Sequence, residues 1–321
     1  MNVIKHYNSG WANGYHYNIK YWEIWNEPDG RMFWTGTPEQ YYKLYEITAK
    51  AIKNYDPHIK VGGPVLAVSL PFLEGFLAYC KDHKVPLDFV PWHMYSTQPS
   101  AIYLKAAKIR ELLIKYGFPN AESVLDEWSY YPGNWGAGQP RDINAVGDPK
   151  YVDGEAQEIQ GVTGAAFDAS VLIMLQDSTV NIANFYHGTT VLLWGMFNGH
   201  GVPNKTYYTF KAFKSLLDTP ERVATGGSDL SGLTAIAGLS QDKTQATLLI
   251  SNFGTECSHY NIRLNNLPWK EGAIYEKYAL DKDHDLDLVK TETLAGTSAV
   301  LPEDVEVPSV CLIRLKTSTA K

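Results

Sequence analysis

At 321 residues the chain is too long for a minimal domain and fits one large domain joined to a small one. Its 45% apolar and 20% charged residues are ordinary for a globular fold, and a net charge of −7 with no basic run sets aside nucleic acids and anionic membrane surfaces as partners. Nine Trp and 21 Tyr also suit flat, amphipathic ligands such as sugars, which need a ring to stack on and a polar edge to bond.

Cys80, Cys257 and Cys311 are widely spaced and odd in number, so they form neither a disulfide framework nor a zinc pattern. No run has the length of a transmembrane helix, and no signal peptide is expected before the first element. The compartment, cytoplasmic or secreted, stays open.

Residues 2–15 read as a helix interrupted by Gly10. A strand comes next at Tyr21-Trp22-Glu23-Ile24-Trp25-Asn26-Glu27-Pro28, where Pro28 ends the ladder and keeps Glu27 out of the right-handed helical region. Thr37-Pro38-Glu39-Gln40 is a helix start, with an N-cap, Pro at the first position and Gln at N3, and its helix runs to Tyr55. Strands near 58–65, 87–95, 123–128 and 180–186 then alternate with helices near 71–83, 100–116, 155–175 and 207–217. That rhythm predicts βαβ units around a parallel sheet.

At Thr219-Pro220 the helical period stops and short alternating strands take over, at 234–237, 246–250, 259–264 and 310–315. Residues 1–220 therefore read as an α/β domain, which the resemblance given below makes a partial (β/α) barrel, and 221–321 as an accessory β-sandwich domain.

Asn26 and Glu27 should lie at the carboxyl end of a strand, where parallel-sheet enzymes collect their chemistry. Glu127, one hundred residues later, ends another strand beside Trp128 and is the natural partner for Glu27. Two carboxyls that converge on one barrel mouth can divide labour, one as acid/base and one as nucleophile, at the separation of about 5–5.5 Å that retaining glycosidases use. The acid must hold its proton near neutral pH, and Trp22, Trp25 and Trp34 are candidates for an apolar wall around Glu27. His93 and Tyr95, two apart on a strand, share a face, as sugar ligands or as satisfied core residues. Trp194 is either a stacking platform or a loop anchor, and Tyr130, Trp135 and His187 are candidates of the same kind. Asp281-x-Asp283-x-Asp285 imitates a calcium loop, but Leu286 stands where that loop needs Gly, so an acidic sandwich loop is expected and no metal or cofactor.

Trp25-Asn26-Glu27-Pro28, Phe33-Trp34, Lys60-Val61-Gly62-Gly63-Pro64, His93-x-Tyr95 and Asp126-Glu127-Trp128, in this order, resemble glycoside hydrolase family 39 over essentially the whole chain. The resemblance implies a (β/α)8 TIM barrel with an appended β-sandwich and β-xylosidase-like exo-glycosidase activity by double displacement. It implies Glu27 as acid/base and Glu127 as nucleophile, Asn26 as donor to the sugar 2-hydroxyl, and His93, Tyr95, Trp34 and Trp194 as further sugar contacts. No cofactor is implied, and the partner is a small oligosaccharide or glycoside. The chain departs from the family in showing five strands where eight are expected, the first three being absent. It also has no acidic residue in Leu193-Trp194-Gly195-Met196-Phe197-Asn198-Gly199-His200 after the last strand. Five strands would leave open edges, to be covered by further sequence or by another copy of the chain. An incomplete barrel that binds sugar without hydrolysing it is the alternative.

Overall fold

The computed structural model describes residues 1–132, 149–189, 194–230 and 232–318, with backbone alone for 149–153. Contacts divide the chain into two compact units, one of Met1–Met94, Leu104–Trp128 and Thr179–Phe185, the other of Tyr95–Tyr103, Ser129–Ser178 and Tyr186–Lys321.

The elements of the parallel sheet and its helices are α1 (Asn2–Ser9), β1 (Tyr21–Glu23), α2 (Pro38–Tyr55), β2 (Lys60–Gly62), α3 (Leu70–Asp82), β3 (Phe89–Ser96), α4 (Pro99–Lys115), β4 (Glu122–Tyr130), α5 (Pro149–Gln160), α6 (Val162–Leu175) and β5 (Ile182–Phe185). The five strands lie in the order β1-β2-β3-β4-β5, with β1–β2, β2–β3 and β4–β5 paired in parallel. Sequential parallel order with helical crossovers is the arrangement of a TIM barrel, not of a doubly wound sheet, whose order reverses at a switch point. The first unit is thus part of a (β/α) barrel.

Local rules account for these elements. Gly10, at φ 73, caps α1, so the predicted helix ends there instead of continuing to Tyr15. The α2 start is a complete capping box: Gln40 N–H donates to Thr37 Oγ1 at 3.3 Å and Thr37 N–H to Gln40 Oε1 at 2.8 Å. The inner face of α2 is aromatic, and Tyr41 and Tyr45 are fully buried against Phe76 of α3 at 6.1 and 4.8 Å between ring centroids. Their hydroxyls do not go unbonded: Tyr41 donates to the Ile24 carbonyl at 2.9 Å and Tyr45 to that of Pro86 at 3.0 Å. Gly62 is required at β2 because a Cβ there would collide with the Phe89 ring on β3.

The second unit holds α5 and α6 together with α7 (Lys205–Lys214), a 3-10 turn at Ser215–Asp218, and strands β6 (Glu221–Val223), β7 (Leu233–Leu239), β8 (Gln245–Asn252), β9 (His259–Leu264), β10 (Ala273–Leu280), β11 (Asp285–Leu294), β12 (Ala299–Asp304) and β13 (Ser309–Thr317). Six of them form an antiparallel sheet in the order β11-β10-β13-β8-β7-β6, and β12 pairs with β9. Ile250, Ile262, Trp269, Tyr275, Ile313 and Leu315 lead its core.

The helix expected over 155–175 is two helices, because Gly161 breaks it and serves as the N-cap of α6. From Gly164 to Leu175 every residue of α6 is buried, as befits a helix apolar all round. It is tied to the sheet by Ser251 Oγ donating to the Ala166 carbonyl at 2.6 Å. No single helix among the described residues is long and apolar enough to cross a membrane. At the acidic loop, Asp281 Oδ1 accepts the N–H groups of Asp283 and His284 at 2.9 Å each, and Leu286 sits at φ 67. Asp281 thus closes the β10–β11 turn.

Candidate active site

β1 stops at Glu23, earlier than the sequence implies. The reason is backbone: Trp25 (φ 71) and Glu27 (φ 44) both adopt left-handed conformations that non-glycine residues seldom take and that gather at functional sites. The bend is held on both sides, by Ile24 N–H donating to the Gly62 carbonyl at 3.1 Å and by the Tyr41 hydroxyl on the Ile24 carbonyl. Two residues past Glu27, the Asp29 carboxylate accepts the N–H groups of Ala67, Val68 and Ser69 at 3.0, 2.8 and 2.8 Å. Glu27 is therefore presented by a turn pinned to the loop after β2.

The second carboxylate comes from an irregularity in β4. Its pairing with β5 runs Leu125↔Ala183 and then Trp128↔Phe185, so three residues on β4 span two on β5. Regular alternation would send Asp126 and Glu127 to opposite faces, whereas a bulge re-aims one of them. Both reach the same imidazole.

That imidazole is His93 on β3, only 2% exposed. Its Nδ1 lies 2.7 Å from Glu27 Oε1 and 3.5 Å from Glu127 Oε2, and its Nε2 lies 3.2 Å from Asp126 Oδ2. Burial by itself would lower the His93 pKa, but the hydrogen bonds to Asp126 and Glu27 and the charges of Asp126 and Glu127 outweigh it and push it up to about 10. At neutral pH His93 is an imidazolium, donating Nδ1–H to Glu27 and Nε2–H to Asp126. Glu23 of β1 completes the cluster. Its carboxyl is pushed up to about 8 by burial, then by the like charge of Asp126 and a hydrogen bond with it. Because Glu23 keeps much of its surface in solvent, the contact with Asp126 is the more decisive of these causes.

Lys105 of α4 supports the same strand, donating to the carbonyls of His93 at 2.9 Å and Ala67 at 2.7 Å. Burial pushes its ammonium down to about 8. Glu23, Asp126 and Lys105 were not singled out from sequence. For Asp126 a signal existed, since an Asp-Glu pair at a strand end is unusual in a buried strand. For Lys105, one of several lysines along a helix, there was none.

The remaining predicted residues fall into separate groups. Asn26 is half-buried beside Glu27. Trp34 is half-buried, with its ring edge-on to Trp25 at 5.7 Å and to Tyr41 at 5.9 Å. The indole N–H of Trp22 donates to the Ile19 carbonyl at 3.1 Å and that of Trp25 to the Phe33 carbonyl at 3.0 Å. In the second unit Tyr95 and Trp194 do come together, at 5.5 Å, with Tyr186 and Tyr131 at 5.9 and 5.7 Å from the indole. His187 stands edge-on to Tyr186 at 4.5 Å. Tyr130 is a core residue whose ring packs on Phe167 at 5.2 Å and whose hydroxyl donates to Glu158. Trp135 lies outside the described residues.

One atom each from Glu27, His93 and Glu127 falls within 4.8 Å of the others, a spacing that a metal ion could use. The same spacing puts Nδ1 of His93 between the two carboxylates.

Sequential parallel strands that bring two carboxylates onto one imidazole define a barrel-type scaffold with a candidate active site. Residues 2–218 match the model of glycosyl hydrolases family 39, and the chain belongs to that family. It is 28% identical over 222 residues to a β-xylosidase of Geobacillus stearothermophilus, covering 61% of this chain and 41% of that protein. It is 27% identical over 268 residues to a β-xylosidase of Caldicellulosiruptor saccharolyticus, covering 74% and 49%. The chain thus spans less than half the length of these curated relatives. Among solved structures, a glucosidase from Croceicoccus marinus matches with a TM-score of 0.79 at 29% identity, over 99% of this chain and 73% of that one. A monomeric β-xylosidase from Caulobacter crescentus CB15 shares the fold, with a TM-score of 0.65 at 19% identity over 92% and 69%.

Proposed function

We propose that this chain carries the catalytic carboxylates of a retaining glycoside hydrolase acting on β-linked pentosides, with residues 1–220 as the catalytic domain and 221–321 as an accessory domain. Its five strands correspond to the last five of an eight-stranded barrel. The observation that carries the reading is the convergence of Glu27 and Glu127 on one nitrogen of His93, with carboxylate oxygens within 4.8 Å of each other. Retaining enzymes hold their carboxyls about 5–5.5 Å apart, whereas inverting ones need about 6.5–9.5 Å to admit a water. Family membership and the curated β-xylosidases support the substrate class.

Glu127 attacks the anomeric carbon and forms a glycosyl ester, while Glu27 protonates the departing oxygen. Glu27 then takes a proton from water, whose hydroxyl oxygen displaces Glu127 and restores the anomeric configuration. Asn26 donates to the sugar 2-hydroxyl, a bond that tightens as the oxocarbenium develops, and Trp34 offers aromatic surface to the substrate. His93 Nδ1, 2.7 Å from Glu27 Oε1, holds a proton within reach of the acid in the first step.

The test is chemical rescue. Glu127→Ala should lose turnover of 4-nitrophenyl β-D-xylopyranoside, and azide should restore it with release of an inverted glycosyl azide. Unchanged turnover, or rescue with retained configuration, refutes the nucleophile assignment. Calorimetric binding of xylobiose by the wild type without any hydrolysis would instead identify a sugar-binding protein.

A further inference from the structure

Asp126 is a buried carboxylate with only one oxygen accounted for. Oδ2 accepts Nε2–H of His93 at 3.2 Å, while Oδ1, although buried, has no N–H or hydroxyl donor among the described residues. The side chain that interacts with Asp126 besides His93 is another acid, Glu23, through a hydrogen bond and a like charge. Two bare carboxylates in contact repel, and a buried acceptor without a donor is unfavourable, so one proton placed between them removes both penalties.

We propose that Glu23 and Asp126 hold a single proton between them, and that Glu23 is thereby a positioning residue that locks Asp126 onto His93 and, through His93, orients Glu27. The positioning role rests on the hydrolase reading above, whereas the shared proton does not. The chain of donors runs one way to the imidazole and one way from it. The Glu23 hydroxyl donates to Asp126 Oδ1, His93 Nε2–H donates to Asp126 Oδ2, and His93 Nδ1–H donates to Glu27 Oε1. With Asp126 held against Nε2, the imidazolium ring cannot rotate, and Nδ1 stays aimed at Glu27.

The titratable groups facing this chain are Glu23 and Glu27 from β1 and its turn, Asp126 and Glu127 from β4, Lys105 from α4 on the His93 carbonyl, and the Tyr41 hydroxyl of α2 near Glu23. Burial and Asp126 push the Glu23 carboxyl up to about 8 while the His93 charge acts against them, so the proton is held through neutral pH and lost above it. Once it is lost, Asp126 faces a second anion and is no longer fixed.

Carboxyl carbon NMR of the wild-type protein tests the pair without reference to catalysis. Glu23 should titrate near pH 8 and should fall back to the ordinary carboxyl range in Asp126→Asn, where the amide can donate to it. In turnover of the xyloside, Glu23→Ala should lower kcat at least about tenfold with KM changed less than about twofold, the pattern of misplaced groups rather than lost binding. Glu23→Gln, which donates through its amide and cannot ionise, should recover most of that loss and keep its activity at pH 9, where the wild type declines. A wild-type Glu23 that titrates with the ordinary carboxyls overturns the shared proton. A decline above pH 8 that persists in Glu23→Gln assigns it to Lys105 and overturns the positioning role. No turnover together with titration near pH 8 removes the hydrolase reading and leaves the shared proton standing.

Discussion

Two buried charge clusters use similar ingredients for different ends. In the second unit Glu303 of β12 is met by Lys277 of β10, by the Tyr275 hydroxyl at 3.0 Å and by Lys290 of β11 at 3.4 Å. Burial acts to raise the Glu303 carboxyl, but Lys277, Tyr275 and Lys290 outweigh it and hold it below its usual range. One anion has two cations, and nothing is left to do. In the first unit Glu23, Glu27, Asp126 and Glu127 surround a single imidazole. That surplus of anions can be kept only by retaining protons above their ordinary range, on His93 and on Glu23. A balanced cluster stabilises a fold; an unbalanced one stores protons for chemistry.

The comparison can be broken most directly at Glu127. Glu127→Ala should cost about 10⁴-fold or more in kcat, the scale seen when a covalent nucleophile is removed, with an unchanged thermal midpoint. Measuring both quantities on the same preparation shows whether the first cluster acts in catalysis rather than in stability. Lys277→Ala should do the reverse. It strands a nearly buried Glu303 and should destabilise by about 3–5 kcal/mol in urea unfolding, while kcat/KM measured well below the variant's thermal midpoint stays level. Lys277→Met combined with Glu303→Gln should restore most of that loss.

The pH dependence of stability sharpens the contrast. Between about pH 6.5 and 8 the folded protein holds two protons that the unfolded chain has released, on His93 (about 10 against an ordinary 6.5) and on Glu23 (about 8 against 4.5). Stability therefore falls as pH rises through this window. Between pH 8 and 10 Lys105, depressed to about 8 from 10.5, works in the opposite direction to His93. Thermal midpoints at pH 6.5 and 8 should show the drop, and His93→Gln should reduce it; an equal drop in the variant excludes His93 as a source. The smallest effect is expected at a site that belongs to neither cluster. Thr37→Ala removes the α2 cap and should cost about 1 kcal/mol, with no change in the pH slope.

Much of this architecture was legible in the chain. The α2 boundaries, Pro38 to Tyr55, came from a capping box at one end and Asp56-Pro57 at the other, because both signals act within a single turn. The shift from helical to alternating period near residue 220 foretold the antiparallel strands, since periodicity reports which side of an element is buried. What failed had a local cause with a non-local consequence. Gly161 split a helix that composition made continuous. The strands at 273–280 and 299–304 lack a legible alternation because each carries a charged residue, Lys277 or Glu303, at a buried position.

The sequence by itself determined that Glu27 and Glu127 belong to two strand segments of a parallel sheet, that His93 lies on a strand between them, and that the composition suits a sugar. Those are properties of short segments, read from spacing and side-chain type. Only the tertiary structure decided that the β4 bulge turns Asp126 as well as Glu127 toward His93, and that Glu23 comes to rest against Asp126. Which residue keeps a proton depends on how many charges share one desolvated space. Residues 27, 93, 126 and 127 enter that space, with Glu23 at its solvent edge, only when four strands are laid side by side.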